Sequence, residues 1–283
     1  MSAMTIMIQG TTSSAGKSVV CAGLCRVFRQ DGFRVTPFKS QNMSRESFIT
    51  SHGDEISTAQ AFQAVAAGIK PTAHMNPVLL KPTGDKSSEV VLSGRKVGCA
   101  SAADYPTRFL DTALEQIQRS LEILMRDYDV VVIEGAGSPA EVNLRDRDIC
   151  NMRIAKMAGA PVILVGNIDP GGVLAAIVGT LELLEADERD RVAGLVINKF
   201  RGDFDLLKPG LDFLEARTGK PVLGVLPYIQ GLNVVEEDSM GDKTGASMAD
   251  GAALDAVCDM LADSMRHNLN IDAIRQIMQA CRV

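Results

Sequence analysis

A doubly wound, mainly parallel α/β sheet is the fold class that the sequence predicts, and three stretches predict it. The apolar run Thr5 to Ile8 leads into a Gly-rich turn, Gly10-Thr-Thr-Ser-Ser-Ala-Gly-Lys-Ser18, and then into a helix-like run. Asp129-Val-Val-Val-Ile-Glu-Gly-Ala-Gly137 sets four β-branched residues in a row, as in a parallel strand buried on both faces. From Pro161 to Leu226, strand-like and helix-like segments alternate, the pattern of a parallel sheet with helical crossovers.

The first stretch also carries chemistry. Strand, Gly-rich turn and helix start form the setting of a phosphate-binding loop. Its backbone N–H groups point at anionic oxygens, and the helix N-terminus adds partial positive charge. Gly10, Thr11, Ser14, Ala15, Gly16, Lys17, Ser18 and Val19 are then the nucleotide-binding residues. Lys17 reaches the β- and γ-phosphates, and Ser18 puts its hydroxyl on Mg²⁺. The usual loop, G-x-x-x-x-G-K-[ST], has glycine where Thr11 stands; here the glycine comes one residue earlier, at Gly10. The loop is a variant, longer by one residue between its glycines.

Composition narrows the partners. The 283 residues are 46% hydrophobic and 23% charged, as in soluble globular proteins. A net charge of −6 gives no basic field for nucleic acid, and 4% aromatics without Trp offer few stacking platforms. No run is long enough to span a bilayer. The first apolar segment has no basic leader and ends in a polar turn, unlike a signal peptide. A cytoplasmic protein without nucleic-acid or membrane partners is expected. The six cysteines form no C-x-x-C pair, and the three histidines are scattered, so neither a zinc site nor a Cys-His pair can be drawn.

In chain order, Lys17 to Gln30 reads as a helix and Arg34 to Phe38 as a strand. The polar cluster Phe38-Lys-Ser-Gln-Asn-Met-Ser44 follows at the strand's carboxyl end. Open parallel sheets bind ligands at that edge, so Lys39 is expected to join Lys17 near phosphate. Glu55 to Ala67 reads as a helix. Residues 76–97 read as a strand, a polar loop from Thr83 to Ser88 and a second strand, with Lys81 and Lys86 nearby. Tyr105 to Arg126 reads as one long amphipathic helix. Glu134 leaves the sheet where P-loop proteins place an acid for Mg²⁺. The run Ser138 to Ile149 is unusually charged, with Glu141, Arg145, Asp146, Arg147 and Asp148 at the ligand edge.

The later strands are Pro161 to Asn167, Val192 to Lys199 and Pro221 to Leu226; the helices between them are Val173 to Ala186 and Asp205 to Thr218. Asn198-Lys199 matches the start of the guanine-reading N-K-x-D, but Arg201 stands in the place of its aspartate. Adenine is therefore expected, with Asn198 beside the base. Residues 1–240 are expected to form one synthetase-like domain, 241–251 a Gly/Ser/Asp-rich linker, and 252–283 a tail of short amphipathic helices.

A set of motifs gives the sequence a family. Gly10-Thr-x-Ser-x-x-Gly-Lys-Ser, Phe38-Lys-x-Gln-Asn-Met-Ser, Ala59-Gln60, Asn76-Pro-Val-Leu-Leu-Lys-Pro and Glu134-Gly-Ala-Gly-Ser-Pro-Ala-Glu resemble the cobyric acid synthases. So do Asn143-Leu-Arg-Asp-Arg-Asp, Asp169-x-Gly-Gly-Val, Val196-Ile-Asn-Lys-Phe-Arg-Gly-Asp, Gly224-Val-Leu-Pro-Tyr and Glu237-Asp-Ser. The likeness runs in order from residue 4 to about 240. The wider group is similar to dethiobiotin synthetase and the cobyrinic acid diamide synthases, enzymes that activate a carboxylate with MgATP.

The resemblance implies a P-loop NTPase-like fold of the dethiobiotin synthetase kind. It implies successive amidations of peripheral carboxylates on adenosylcobyrinic acid a,c-diamide through acyl phosphates that ammonia attacks. Lys17, Lys39 and Asp146 would be catalytic, and Asn198 and Pro227 would lie at the nucleotide. Ser18, Glu55 and Glu134 would hold Mg²⁺; Glu55 stands five residues before Gln60, where the dethiobiotin enzymes have a metal-binding acid. Gln41, Asn42, Lys81, Asn143, Arg145, Arg147 and Asp148 would bind the corrinoid. A homodimer is expected from the dethiobiotin relatives. The full-length synthases continue into a glutaminase domain with a nucleophilic Cys and a His, and no such elbow occurs here. Ammonia is therefore expected from solution or from a separate glutaminase subunit. Two alternatives stand beside this: a dethiobiotin-synthetase-like carboxylate-activating enzyme, and a ParA/MinD-like ATPase switch. The latter type has a second lysine early in its loop, where this chain has Thr12.

Overall fold

The computed structural model describes residues 3–84, 86–101, 103–229 and 251–281. Strand β1 (Met4–Gly10) runs through a short 3-10 turn (Ser13–Ala15) into helix α1 (Lys17–Gln30). Strands β2 (Val35–Phe38) and β3 (Gln41–Met43), the hairpin β4 (Ser47–Ile49) and β5 (Glu55–Ser57), and helix α2 (Thr58–Ala67) follow. Next come β6 (Val78–Pro82), β7 (Ser87–Leu92), β8 (Arg95–Ser101), α3 (Tyr105–Arg108), α4 (Leu110–Asp127) and β9 (Val130–Glu134). The alternating part is α5 (Met152–Met157), β10 (Val162–Asn167), α6 (Val173–Leu183), α7 (Ala186–Arg191), β11 (Val192–Phe200), α8 (Phe204–Thr218) and β12 (Val222–Pro227). Helices α9 (Gly251–Asn268) and α10 (Ile271–Ala280) close the described chain.

Six strands form the main sheet in the order β12-β11-β10-β1-β9-β2, every pair parallel. Side chains alternate between two buried faces. Ile6, Ile8, Val130, Val132, Ile163 and Val165 pack on the side of α1, α2, α9 and α10. Met7, Val131, Ile133, Val162 and Leu164 pack on the side of α4, α5, α6 and α8. Burial on both faces accounts for the unbroken apolar runs. The chain winds one way to β2 and β9 and the other way to β10, β11 and β12. The carboxyl end of β1 is therefore the switch point, where such sheets open a crevice for ligands.

A second, smaller sheet, β3-β6-β7-β8, stands beside the first. Strand β3 pairs parallel with β6, and β6, β7 and β8 pair antiparallel. Strand β3 lies outside the stretches expected to be strands, and the single strand expected up to residue 97 is divided at Ser93 and Gly94 into β7 and β8, which runs on to Ser101. Three predicted helices are also interrupted. Residues 55–57 pair with β4, and the Ser57 side chain accepts the Ala59 N–H, so this N-cap starts the helix at Thr58. The 105–126 helix breaks at Phe109, whose ring stacks on Tyr105. Helix α6 stops at Leu183 because Glu185 and Glu188 make a reciprocal capping box that opens α7.

The linker predicted at 241–251 lies outside the described residues except for Gly251, which begins α9. The two terminal helices are integral to the core on the α1 side, through Leu254, Cys258, Leu261, Met265, Ile274 and Met278. A Cβ on Gly23 of α1 would stand 2.6 Å from Met265 Cγ, so the close approach of α1 and α9 requires glycine. Ion pairs fasten the same contact. Arg26 meets Asp255 at 2.9 Å and Asp259 at 2.7 Å, while Asp31 takes Arg266 at 2.7 Å and also Arg275. No described helix is long and apolar enough to cross a membrane.

Asp31 provides a test. Burial would raise its pKa, but hydrogen bonds and charge from Arg266 and Arg275 outweigh that and hold it below the usual 3.8. A carboxylate depressed in the native state stabilises the fold fully above its unfolded pKa and loses that stability as pH falls through its folded pKa. Asp31→Asn should cost about 1 to 2 kcal/mol at pH 7, a few degrees of melting temperature for a chain of this size. The gap between variant and parent should close as pH falls below 3.8 in thermal melts.

Candidate active site

The loop after β1 is shaped by two positions at which a side chain cannot fit. A Cβ on Gly10 would stand 2.7 Å from both Ala15 Cβ and Thr12 O, and one on Gly16 would stand 2.2 Å from Asn198 Nδ2. Gly16 also has φ of 85°, a conformation that only glycine adopts cheaply. Thr11 faces neither demand: its backbone is not left-handed, and its N–H donates to Val165 O at 3.0 Å. That is why the loop tolerates threonine where the usual pattern has glycine. The buried Lys17 ammonium donates to Thr12 O at 3.1 Å, Ser13 O at 3.0 Å and Gly137 O at 3.3 Å. Val19 lies half-buried in the first turn of α1, and Ser14 is exposed.

Glu134 is the centre of the edge. It ends β9 at 1% exposure. Its Oε1 accepts from Ser18 Oγ at 2.7 Å and Lys39 Nζ at 2.9 Å. Its Oε2 accepts from Gln63 Nε2 at 2.5 Å and, more weakly, Gln60 Nε2 at 3.4 Å. Burial would push its pKa up; the Lys39 charge and the hydrogen bonds from Lys39, Ser18 and Gln63 bring it below the usual carboxylate value. Lys39 and Glu134, each from a motif of its own, are thus brought to Lys17 and Ser18 of the loop. Gln60 and Gln63 were missed as partners of Glu134. The available signal was two glutamines three apart in an Ala-rich helix, a spacing that puts both on one face.

The remaining strand ends brace the loop. Asn167 Nδ2 donates to Ser14 O at 3.2 Å, and Asn198 Nδ2 donates to Ala15 O at 2.8 Å. Asn198, expected beside a base, has its amide on the loop backbone. Arg201 lies over the Tyr228 ring, 3.4 Å from its centroid, and pairs with Asp169 at 3.3 Å. Pro227, exposed, ends β12 beside this stack.

A cavity of about 860 Å³ lies between the second sheet, α3 and the segment 136–153. Leu80, Val90, Leu110, Leu144, Ile149 and Met152 contribute apolar wall, and Lys86, Arg147 and Arg153 are among the lining cations. Among the described residues none pairs with the Lys86, Arg147 or Arg153 side chain. Gly137 joins the two sites, since it lines the cavity and its carbonyl accepts from Lys17.

The other expected site residues are placed as follows. Gln41, Arg145, Arg147 and Asp148 line the cavity, while the exposed Asn143 and Asp146 do not. Arg145 is engaged by Glu185 and by Leu183 O at 2.6 Å. Asp148 accepts from the backbone N–H groups of Cys150 and Asn151, both at 2.8 Å, and of Arg153 at 3.1 Å, so it caps the start of α5. Asn42 is buried, with Ser57 Oγ at 2.8 Å and Gln60 Oε1 at 3.1 Å. Glu55 is not brought to Ser18 and Glu134 by any described hydrogen bond. It pairs with Lys81 and accepts from Ser47 Oγ at 2.5 Å. No described group of three or more His, Cys, Asp or Glu side chains could hold a metal.

A phosphate-binding loop at the switch point of a parallel sheet, with a buried lysine, a helix-starting serine and a facing acid, defines a P-loop nucleotide-binding protein. The chain belongs to the family described as the CobQ/CobB/MinD/ParA nucleotide binding domain, whose match spans residues 6–240. It is similar to the cobyric acid synthase of Pelotomaculum thermopropionicum, 57% identical over 249 residues that cover 88% of this chain and 47% of the relative. It is also similar to the probable cobyric acid synthase of Methanothermobacter thermautotrophicus, 60% identical over 239 residues, or 84% of this chain and 47% of the relative. The chain spans about half the length of these curated relatives. Among solved structures, the MinC:MinD complex of Aquifex aeolicus aligns at a TM-score of 0.49 with 12% identity, over 94% of this chain and 95% of that one.

Lys17→Ala should abolish nucleotide binding measured by calorimetry while leaving the melting temperature of the nucleotide-free protein within a few degrees. Binding at wild-type affinity would remove Lys17 from the phosphate site.

Proposed function

We propose that this chain is the ATP-dependent, amide-forming part of a cobyric acid synthase, acting on peripheral carboxylates of adenosylcobyrinic acid a,c-diamide. The observation that carries the reading is the junction at Gly137, where the loop lysine meets an apolar cavity with a basic rim. A ligand with a large apolar body and several carboxylates suits such a cavity, because its cations can take carboxylates while its walls cover the body. The likeness to cobyric acid synthases over most of the chain supports the same substrate.

The chemistry follows from the groups at hand. A carboxylate oxygen attacks the γ-phosphorus of ATP, the bond to the β-phosphate oxygen breaks, and ADP leaves. Ammonia then attacks the acyl carbon of the acyl phosphate. The carbon–nitrogen bond forms, the carbon–oxygen bond to phosphate breaks, and one nitrogen proton passes to the departing phosphate. Phosphoryl transfer of this kind depends chiefly on positioning and on neutralising charge. Lys17 and Lys39 supply cationic donors there. Ser18 and Glu134 offer hard oxygen ligands, 2.7 Å apart and with Glu134 held ionised, that fit Mg²⁺. Bound there, Mg²⁺ would neutralise phosphate charge. Glu55 is engaged by Lys81, so the metal set proposed is Ser18 and Glu134. Arg147 is the loop cation proposed to hold a substrate carboxylate, since Arg145 already secures the loop to α6 and α7.

Ammonia is proposed to come from solution or from a separate glutaminase subunit. Glutamine hydrolysis needs an activated thiolate, usually with a histidine base. Cys21, Cys25 and Cys258 are buried; burial pushes the Cys258 thiol up to about 11 and that of Cys150 up to about 12. The described hydrogen bonds of His74 and His267 go to Ser120 and Asp263, not to a cysteine.

The test is to incubate the purified chain with MgATP, the corrinoid a,c-diamide and either ammonium or glutamine, and to follow product mass. Ammonium should support conversion of carboxylates to amides, faster as pH rises because NH₃ is the nucleophile. Glutamine should support none. No mass change with ammonium would sink the reading. ATP should be preferred over GTP, because Arg201 replaces the guanine-reading acid; equal turnover with both would refute the adenine assignment.

A further inference from the structure

Gln41 lies two residues beyond Lys39, on the strand that carries the chain from the main sheet into the second one. Its neighbourhood is fixed by buried hydrogen bonds. Asn76 Nδ2 donates to Lys39 O at 3.1 Å, and Ser40 Oγ donates to Ile149 O at 2.6 Å. Gln41 lines the cavity beside Cys150 and Asn151. Asn151 in turn holds Ala136 through both polar atoms of its side-chain amide, next to the Gly137 that meets Lys17. The amide of Gln41 therefore meets the cavity wall at Cys150, one residue before the Asn151 that is bonded to the strip carrying Gly137.

That amide is half satisfied. Nε2 donates to Cys150 Sγ at 3.8 Å, while Oε1 is buried with no hydrogen-bond partner among the described residues. Tyr105 lines the same cavity, and its hydroxyl is likewise buried without a partner among the described residues. Buried polar atoms without partners are few in native proteins and carry a desolvation penalty. Two in one cavity point to a polar ligand that completes them. The thiol beside Gln41 is neutral, since burial pushes Cys150 up to about 12, so it can accept the Nε2–H weakly without adding charge.

We propose that Gln41 Oε1 is the acceptor for a nitrogen-bound hydrogen of the ligand, and so fixes a nitrogen at this wall of the cavity. The proposal rests on the amide-forming reading above. A carboxylate oxygen has no hydrogen for this acceptor and is repelled by it, whereas ammonia or a carboxamide supplies one. Gln41 thereby favours nitrogen over oxygen at one point of the site. The N–H group has two sources, incoming ammonia and a carboxamide that the substrate already carries.

Gln41→Leu and Gln41→Glu separate these sources. The first removes the acceptor, and the second restores one, so Gln41→Glu should recover at least part of whatever Gln41→Leu loses. With ammonia as donor, Gln41→Leu should raise the KM for ammonia by about fivefold or more, the loss of one neutral hydrogen bond, and leave the Kd for the corrinoid unchanged. With a carboxamide as donor, the Kd for the a,c-diamide should rise by a similar factor, while that for the corrinoid bearing only carboxylates stays constant. MgATP affinity and melting temperature, unchanged in both variants, report that the fold is intact. Changes below about twofold in both constants overturn the proposal. If the wild-type chain amidates no corrinoid, the functional reading falls separately. Gln41 is then judged by ligand-observed NMR with acetamide against acetate. Preference for acetamide that Gln41→Leu abolishes supports the nitrogen site, and equal binding of the two probes refutes it.

Discussion

The carboxylate of Glu134 is the point on which the site depends. A carboxylate at 1% exposure is tolerated only when charge and hydrogen bonds replace the water it has lost. Its four donors come from three places: Ser18 on α1, Lys39 after β2, and Gln60 and Gln63 on α2. Satisfying one side chain thus fixes the relative positions of β9, its neighbour β2 and two helices. The phosphate loop inherits this precision, because Ser18 is the second residue of the helix that the loop starts. Removing any one donor leaves the others competing to hold a buried charge.

A second consequence concerns the substrate side. Strand β2 belongs to the main sheet, and β3, separated from it by Lys39 and Ser40, belongs to the second. Lys39 therefore sits at the hinge of two architectures, with its ammonium on the phosphate side and the following residues on the cavity wall. The strip after Glu134 does the same from the other side. Gly137 holds Lys17, and Ile149 and Met152 wall the cavity. Loop and cavity meet because two short segments are shared between them.

Much of this was legible in the sequence. The main-sheet strands were readable because double-sided burial writes itself as unbroken Val and Ile runs, as at Val130 to Ile133. Lys17, Ser18, Lys39 and Glu134 were readable because each stands at the carboxyl end of such a run or in the turn after it. The second sheet was less so, since Arg95–Ser101 mixes charges and small residues on an outer strand and Gln41–Met43 is only three residues long. Partner choice was least visible. Glu55 was aligned with a metal acid by its spacing from Gln60, but a hairpin before α2 turns it to Lys81, 26 residues away. Asn198 was read from a base-binding motif, yet its amide reaches Ala15, 183 residues away. Local patterns cannot state which distant donor a buried polar group will meet.

The charged run from 141 to 148 shows how one segment divides these tasks. Five ionisable groups in such a short stretch repel or solvate one another unless some are tied down. Arg145 is tied to the α6–α7 corner and Asp148 to the start of α5, so the ends of the turn are anchored at two separate elements. Arg147 lies between these anchors and faces the cavity without a described partner. An arginine held near a surface by its neighbours loses less freedom on meeting a carboxylate than one on a loose loop. The fastened charges thus make the exposed one useful: they supply order, and Arg147 retains the hydrogen-bonding capacity that a polyanionic ligand would use.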